Sequence, residues 1–268
     1  MMVIDKTLLR KAQLKMLGIL IEVDRVCREN DIPYWLECGT LLGAVRHTGF
    51  IPWDDDIDIA MLRSDFDRFN KKAGGLLGKD LFIQNVSTDQ YYFKRNLPCK
   101  VRLNDTFFEE KEYSWLSDKH KKGHFGIFVD VFPVDSYSKN FIFRSFQRFL
   151  SKVIYAKTIA VYSKHSSVFK AVAAKLSKLI PWSAIEKCKS FQIANCKGGL
   201  LGFGIEMPFT MGYITRDKIF PLKEIKFEGH VFFVPNDYHK VLETRYGQNY
   251  MTPPPKDKRV WHAVRIKL

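Results

Sequence analysis

The chain has no paired cysteines, no apolar run long enough to cross a bilayer and, between Asp135 and Glu186, no acidic residue. Each absence excludes something. The five cysteines, Cys27, Cys38, Cys99, Cys188 and Cys196, are odd in number, scattered and without a CxxC spacing. That argues against a disulfide framework or a zinc cluster and fits a reducing compartment. No stretch approaches the roughly 20 apolar residues of a membrane span. Asp5, Lys6, Arg10, Lys11 and Lys15 interrupt the N-terminus, so it holds no signal-peptide core. The expected location is cytoplasmic, with peripheral contact on the inner face of an anionic membrane left open.

What is present is a folded-protein composition with a strong positive charge. At 268 residues and 46% hydrophobic content the chain can bury a sizeable core. The formal charge of +14 points to an anionic partner: nucleotide, nucleic acid or acidic lipid.

Hydrophobic periodicity predicts a helix over 7–28, ended by Asn30-Asp31-Ile32-Pro33. A short strand at Tyr34-Trp35-Leu36 and a turn at Gly39-Thr40 lead into a second helix. Ile57 to Met61 alternates as a strand, with Ser64 and Asp65 as the cap of the next helix. Lys100–Leu103 and Gly126–Phe132 read as further strands, the second closed by Pro133. This is an α/β (α+β) pattern. The division expected is a catalytic core over 1–137, a basic helical insertion over 138–200 and a C-terminal part of the catalytic domain over 201–268. In the insertion Arg144, Arg148 and Lys152 form one stripe while Ile142, Phe146, Phe149 and Val153 lie on another face, the layout of a basic amphipathic helix.

The acidic run Asp54, Asp55, Asp56 and Asp58 carries the chemistry. Asp56 and Asp58 share a face of an otherwise apolar strand, where repulsion and desolvation oppose them unless a divalent cation neutralises both. Hard carboxylate oxygens suit magnesium, Mg²⁺, and the spacing does not match a calcium EF-hand. The alternative is a solvated acidic turn. Asp130, also interrupting an apolar strand, is the third candidate ligand, against a reading as a strand-end cap. Gly39 and Thr40 could cradle phosphate. Arg46, His47, Lys100 and Arg102 are candidates for the same anion, with solvent-facing charges as the alternative.

The run Tyr34 to Met61, YWLECGTLLGAVRHTGFIPWDDDIDIAM, closely resembles the signature of the LicD family of phosphocholine transferases, which is related to fukutin and fukutin-related protein. Lys100 to Glu109, Gly126 to Asp135 and Tyr246 to His262 resemble the same family, whereas 138–200 does so least. The resemblance implies a nucleotidyltransferase-like mixed sheet flanked by helices. In it Gly39 and Thr40 hold donor phosphates, and Asp56, Asp58 and Asp130 hold Mg²⁺ and carry catalysis. Asp54 and Asp55 belong to the signature without a clear role.

The activity implied is transfer of phosphocholine, or a related alcohol phosphate such as ribitol phosphate, from CDP-choline or another CDP-alcohol to a glycan or lipid-linked glycan, releasing CMP. A choline donor would call for an aromatic cage, for which Trp35, Trp53, Tyr91, Tyr92 and Phe93 are available. One rival is a nucleotidyltransferase acting on a nucleotide or nucleic acid. The other is a basic nucleic-acid-binding module, disfavoured because no RNP motif or zinc finger accompanies the charge.

Overall fold

The computed structural model describes residues 5–92, 99–116, 118–162, 172, 175–176, 179–196, 198–207, 211–259 and 261–268. Helix α1 (Lys6–Glu29) starts at Asp5, whose carboxylate accepts from the Leu8 amide, and ends at Asn30. Leu9, Ala12, Met16, Leu20, Val23 and Cys27 recur on one face, and that face is buried. Asp31, at φ 51°, turns the chain back into the short strand β1 (Trp35–Leu36).

The main sheet is mixed, with order β1-β2-β6-β4-β3, where β2 is Asp58–Leu62, β3 Leu81–Gln84, β4 Cys99–Leu103 and β6 Phe128–Tyr137. Strands β2 and β6 run parallel, and their Cα register pairs Asp58 with Asp130. The other pairings are antiparallel, including β7 (Leu200–Phe203) on β6 and β8 (Ile214–Thr215) on β7. Helix α2 (Cys38–His47) follows β1 and α3 (Arg63–Lys72) follows β2. The core joins the inner face of α1 to these strands.

Two sequence expectations are corrected. Strand β6 does not close at Pro133 but runs on to Tyr137. On that side of β6, β4 pairs only as far as Val131 and β7 takes over at Val134. Pro133 sits in the changeover, where its missing N–H breaks no ladder bond while its carbonyl accepts from Gly204 at 2.8 Å. Nor do Ser64 and Asp65 cap α3. The helix already starts at Arg63, leaving Asp65 in its first turn, where a carboxylate favours the dipole.

Beyond β6, α4 (Phe141–Tyr162) begins at Asn140, whose side-chain oxygen accepts from the Ile142 amide. With α5 (Trp182–Asn195) it closes a small second core of Tyr137, Leu150, Ile154, Ile185 and Ile205. Arg63 ties this region to the main sheet through a buried ion triad, pairing with Asp135 at 2.8 Å and Glu206 at 2.7 Å. The rest comprises α6 (Arg216–Ile219), the hairpin β9 (Lys223–Phe227) and β10 (His230–Val234), α7 (Tyr238–Tyr246), and β11 (Ala263–Lys267) paired with β5 (Phe107–Glu110). Among the described residues no helix is long and apolar enough to cross a membrane.

Candidate active site

The α2 N-terminus, the loop before β2 and the end of β6 meet at one end of the sheet. Asp58 donates its amide to Thr40 Oγ1 at 2.8 Å, and its carbonyl accepts from the Glu37 amide at 3.0 Å. The Asp130 amide bonds the Ile57 carbonyl at 2.8 Å. The two aspartates are therefore set side by side by backbone bonds. Thr40 thus positions the strand through its hydroxyl oxygen, while its O–H remains a donor.

Gly39 also has a steric task. A Cβ there would lie 2.7 Å from Asp54 Oδ2, so any side chain would displace that carboxylate. Glu37, fully buried, caps α2 and accepts from Trp35 Nε1 at 2.9 Å and Arg245 Nε at 3.0 Å. That anchors the wall of the site to α7.

Asp54, Asp56, Asp58, Asp130 and Glu110 line a cleft of about 650 Å³. Arg46, Lys258, Arg259 and His262 also line it, the last three from the segment leading into β11. Arg259 stacks on Trp53, with its guanidinium carbon 3.8 Å from the ring centroid. Asp55 is fully buried. Its Oδ2 accepts from the His262 and Ala263 amides at 2.8 and 2.6 Å, fastening the C-terminal segment to the acidic loop.

Electrostatics mark the acidic wall as costly by itself. Burial first, then the neighbouring aspartates, pushes Asp54 and Asp58 well above the usual carboxylate range. Asp56 is pushed up to about 6, chiefly by burial, with Asp55 and Asp130 adding to it and His262 and Lys100 opposing it. Asp130 has its own cation: Lys100 Nζ lies 2.8 and 3.1 Å from its two carboxylate oxygens, beneath the Phe128 ring.

A set of hard oxygens that raise one another's affinity for protons is also a set that favours a divalent cation. Asp55, Asp56 and His262 place ligand atoms within 4.8 Å of one another. Of the Asp55 oxygens Oδ2 holds two amides, while Oδ1 is buried without a hydrogen-bond partner. Asp56, Asp58 and Asp130 line the cleft together.

The other predicted residues fall in different places. Arg46 reaches the cleft and donates to the Tyr250 carbonyl at 3.0 Å. His47 is exposed at the end of α2 and accepts from Arg46 Nε at 3.0 Å. Lys100 and Arg102 share a face of β4 but are fully buried, not solvent-facing. Lys100 stands behind Asp130. Arg102 bonds the Gln84 side chain and the Gly126 carbonyl and lines a separate small cavity with Tyr91 and Tyr92. Trp35 is core; of the aromatic cage candidates Trp53 lines the cleft, and Phe93 lies outside the described residues.

Sequence reasoning assigned no role to Glu110, Lys258, Arg259 or His262. Glu110 follows directly on the segment 100–109, and the other three lie in or beside 246–262, so the family resemblance was their only available signal.

Residues 31–160 match the family described as LicD/FKTN/FKRP, nucleotidyltransferase domain. The chain is 27% identical over 274 residues to the lipopolysaccharide cholinephosphotransferase LicD of Haemophilus influenzae, covering 96% of this chain and 97% of that protein. It is 33% identical over 67 residues to human ribitol 5-phosphate transferase FKRP, covering 24% of this chain and 14% of that one.

Proposed function

We propose that this transferase of phosphate-containing groups, whose residues 31–160 match the LicD/FKTN/FKRP nucleotidyltransferase domain, moves phosphocholine, or a related alcohol phosphate, from a CDP-linked donor to a glycan hydroxyl. The observation that carries this reading is the acidic wall of Asp54, Asp56, Asp58 and Asp130 in the same cleft as Arg46, Lys258 and Arg259. Such a cleft accepts a diphosphate between fixed charges of both signs.

In the proposed reaction a sugar oxygen attacks the phosphorus bearing the alcohol. The bond from that phosphorus to the oxygen it shares with the CMP phosphate breaks, and CMP leaves with the bond's electrons. The hydroxyl proton passes to a carboxylate of the acidic wall. Asp56, Asp58 and Asp130 are the residues that would hold Mg²⁺, which when bound supplies neutralisation of phosphate charge. Arg46 and Arg259 orient the donor's phosphates, Arg259 held flat by Trp53. Lys100, buried against Asp130, holds that carboxylate in position. Gly39 leaves room for Asp54 against the helix start, and Thr40 sets Asp58. Positioning and charge stabilisation carry such a transfer.

The catalytic unit in this reading comprises 1–137 and 201–268, with 138–200 as a basic helical region. The enzyme works on the cytoplasmic side, on a glycan or lipid-linked glycan. The test is incubation with Mg²⁺ and a panel of CDP-alcohols, CDP-choline and CDP-ribitol first, with mass spectrometry for released CMP. Asp58→Asn should abolish turnover with an unchanged circular dichroism spectrum. Nucleotide transfer from a triphosphate without CMP release would replace this reading with a nucleotidyltransferase.

A further inference from the structure

Helix α4 is packed with much of its polar side inward. Against the second core it turns Leu150 and Ile154 together with Gln147, Ser151 and Thr158, all buried. Gln147 accepts from the Ser138 amide and donates to the Ser136 carbonyl, each at 3.2 Å, so this inward orientation is fixed by hydrogen bonds. Outward stand Ile142, Phe146 and Phe149, exposed at 74%, 57% and 62%, on the i, i+4, i+7 spacing of one helical face. Large apolar side chains presented together mark an interaction surface.

Beside that stripe runs a cationic one. Arg144, Arg148 and Lys152 line a surface cleft of about 410 Å³ with Phe141, Phe149 and Tyr213. Arg144 is steadied by the Ser138 and Lys139 carbonyls at 2.8 and 3.0 Å, with its guanidinium carbon 5.4 Å from the centre of the Tyr213 ring. No acidic residue occurs from 136 to 185 to neutralise this charge locally. Phenylalanines flanked by fixed cations, without carboxylates between them, complement an anionic lipid surface, whereas an ordinary protein partner would need no such one-signed field.

We infer that this face of α4 docks on an anionic phospholipid bilayer, with Ile142, Phe146 and Phe149 entering the acyl boundary and Arg144, Arg148 and Lys152 meeting the lipid phosphates. The inference goes beyond the transfer reaction, in which none of these residues takes part. Tyr213, on the docking face, lies two positions along the chain from Met211, which lines the catalytic cleft.

The test is flotation of the full chain with vesicles of phosphatidylcholine alone or containing phosphatidylglycerol. Binding to the second kind only, weakened by added salt, is expected. Phe146→Ser with Phe149→Ser should lower partitioning by at least roughly tenfold, and Lys152→Glu should flatten the salt dependence, both with unchanged circular dichroism. Should the double variant fail to fold, Phe146→Trp gives a second measurement: its emission should shift to the blue and be quenched by brominated acyl chains. Absence of flotation, binding indifferent to phosphatidylglycerol, an unquenched tryptophan, or a dimer dispersed by the Phe146 and Phe149 changes would each overturn the inference. CMP release in solution with a soluble acceptor is read separately, so failure of docking and failure of the proposed reaction are distinguishable.

Discussion

The amide of Asp58 donates to the hydroxyl of Thr40 across 2.8 Å, joining the first turn of α2 to the first residue of β2 at a buried point. A bond of this kind matters most when one partner is lost, because the other is left unsatisfied. Thr40→Val should therefore cost about 1–3 kcal/mol and lower kcat by misplacing Asp58, while Thr40→Ser retains both. Urea unfolding and CMP release measure the two effects. Equal stability of the valine and serine variants would show that the bond is unimportant.

Lys100 is fully buried between Asp130 and Glu110, at 2.8 and 3.5 Å. Lys100→Met leaves Asp130 without its cation, while Glu110 keeps Arg102 at 3.9 Å, and should cost roughly 3–5 kcal/mol. Adding Asp130→Asn should recover part of the stability and none of the activity. The double-mutant cycle in urea tests this; strict additivity would mean that the pair is not coupled.

Gly39→Ala separates folding from function. Alanine improves helix propensity by up to about 1 kcal/mol, yet its Cβ would sit 2.7 Å from Asp54 Oδ2. Stability should stay within about 1 kcal/mol of the parent while kcat/KM falls roughly tenfold or more. Unchanged kinetics would remove Asp54 from the working wall of the cleft.

The raised Asp56 makes stability depend on pH. A carboxyl at about 6 in the folded state, against roughly 3.9 unfolded, binds more protons when folded throughout that interval. Its contribution is therefore full below about pH 4 and declines as pH rises through 6. With chelator present, the wild type should lose more melting temperature between pH 4 and 7 than Asp56→Asn does, and Mg²⁺ should restore it at the upper end. Parallel pH profiles for the two proteins would contradict the assignment.

Local pattern made the sheet legible. Asp58 and Asp130 each interrupt an apolar strand, and charges in such places announce themselves before any pairing is known. The continuation of β6 past Pro133 was hidden, because a proline is tolerated only where two partner strands change over, and that is a fact about β4 and β7. Asp55, which the sequence left without a clear role, gets one from the His262 and Ala263 amides, more than 200 positions away. Lys100 and Arg102 were correctly placed on one face of β4; which face was buried depended on Glu110 and Phe128 arriving from elsewhere. In α4 the two stripes were visible as a pattern, yet only packing shows that Gln147 and Ser151 face inward while Phe146 and Phe149 do not.

Strand β6 has a further consequence, for reach. Asp130 stands near one end and Tyr137 at the other, just before α4 begins. At roughly 3.3 Å per residue the separation along the strand is about 23 Å. A rigid strand of that length fixes the distance between the acidic wall and the second core against which α4 packs, so neither can shift along it without the other.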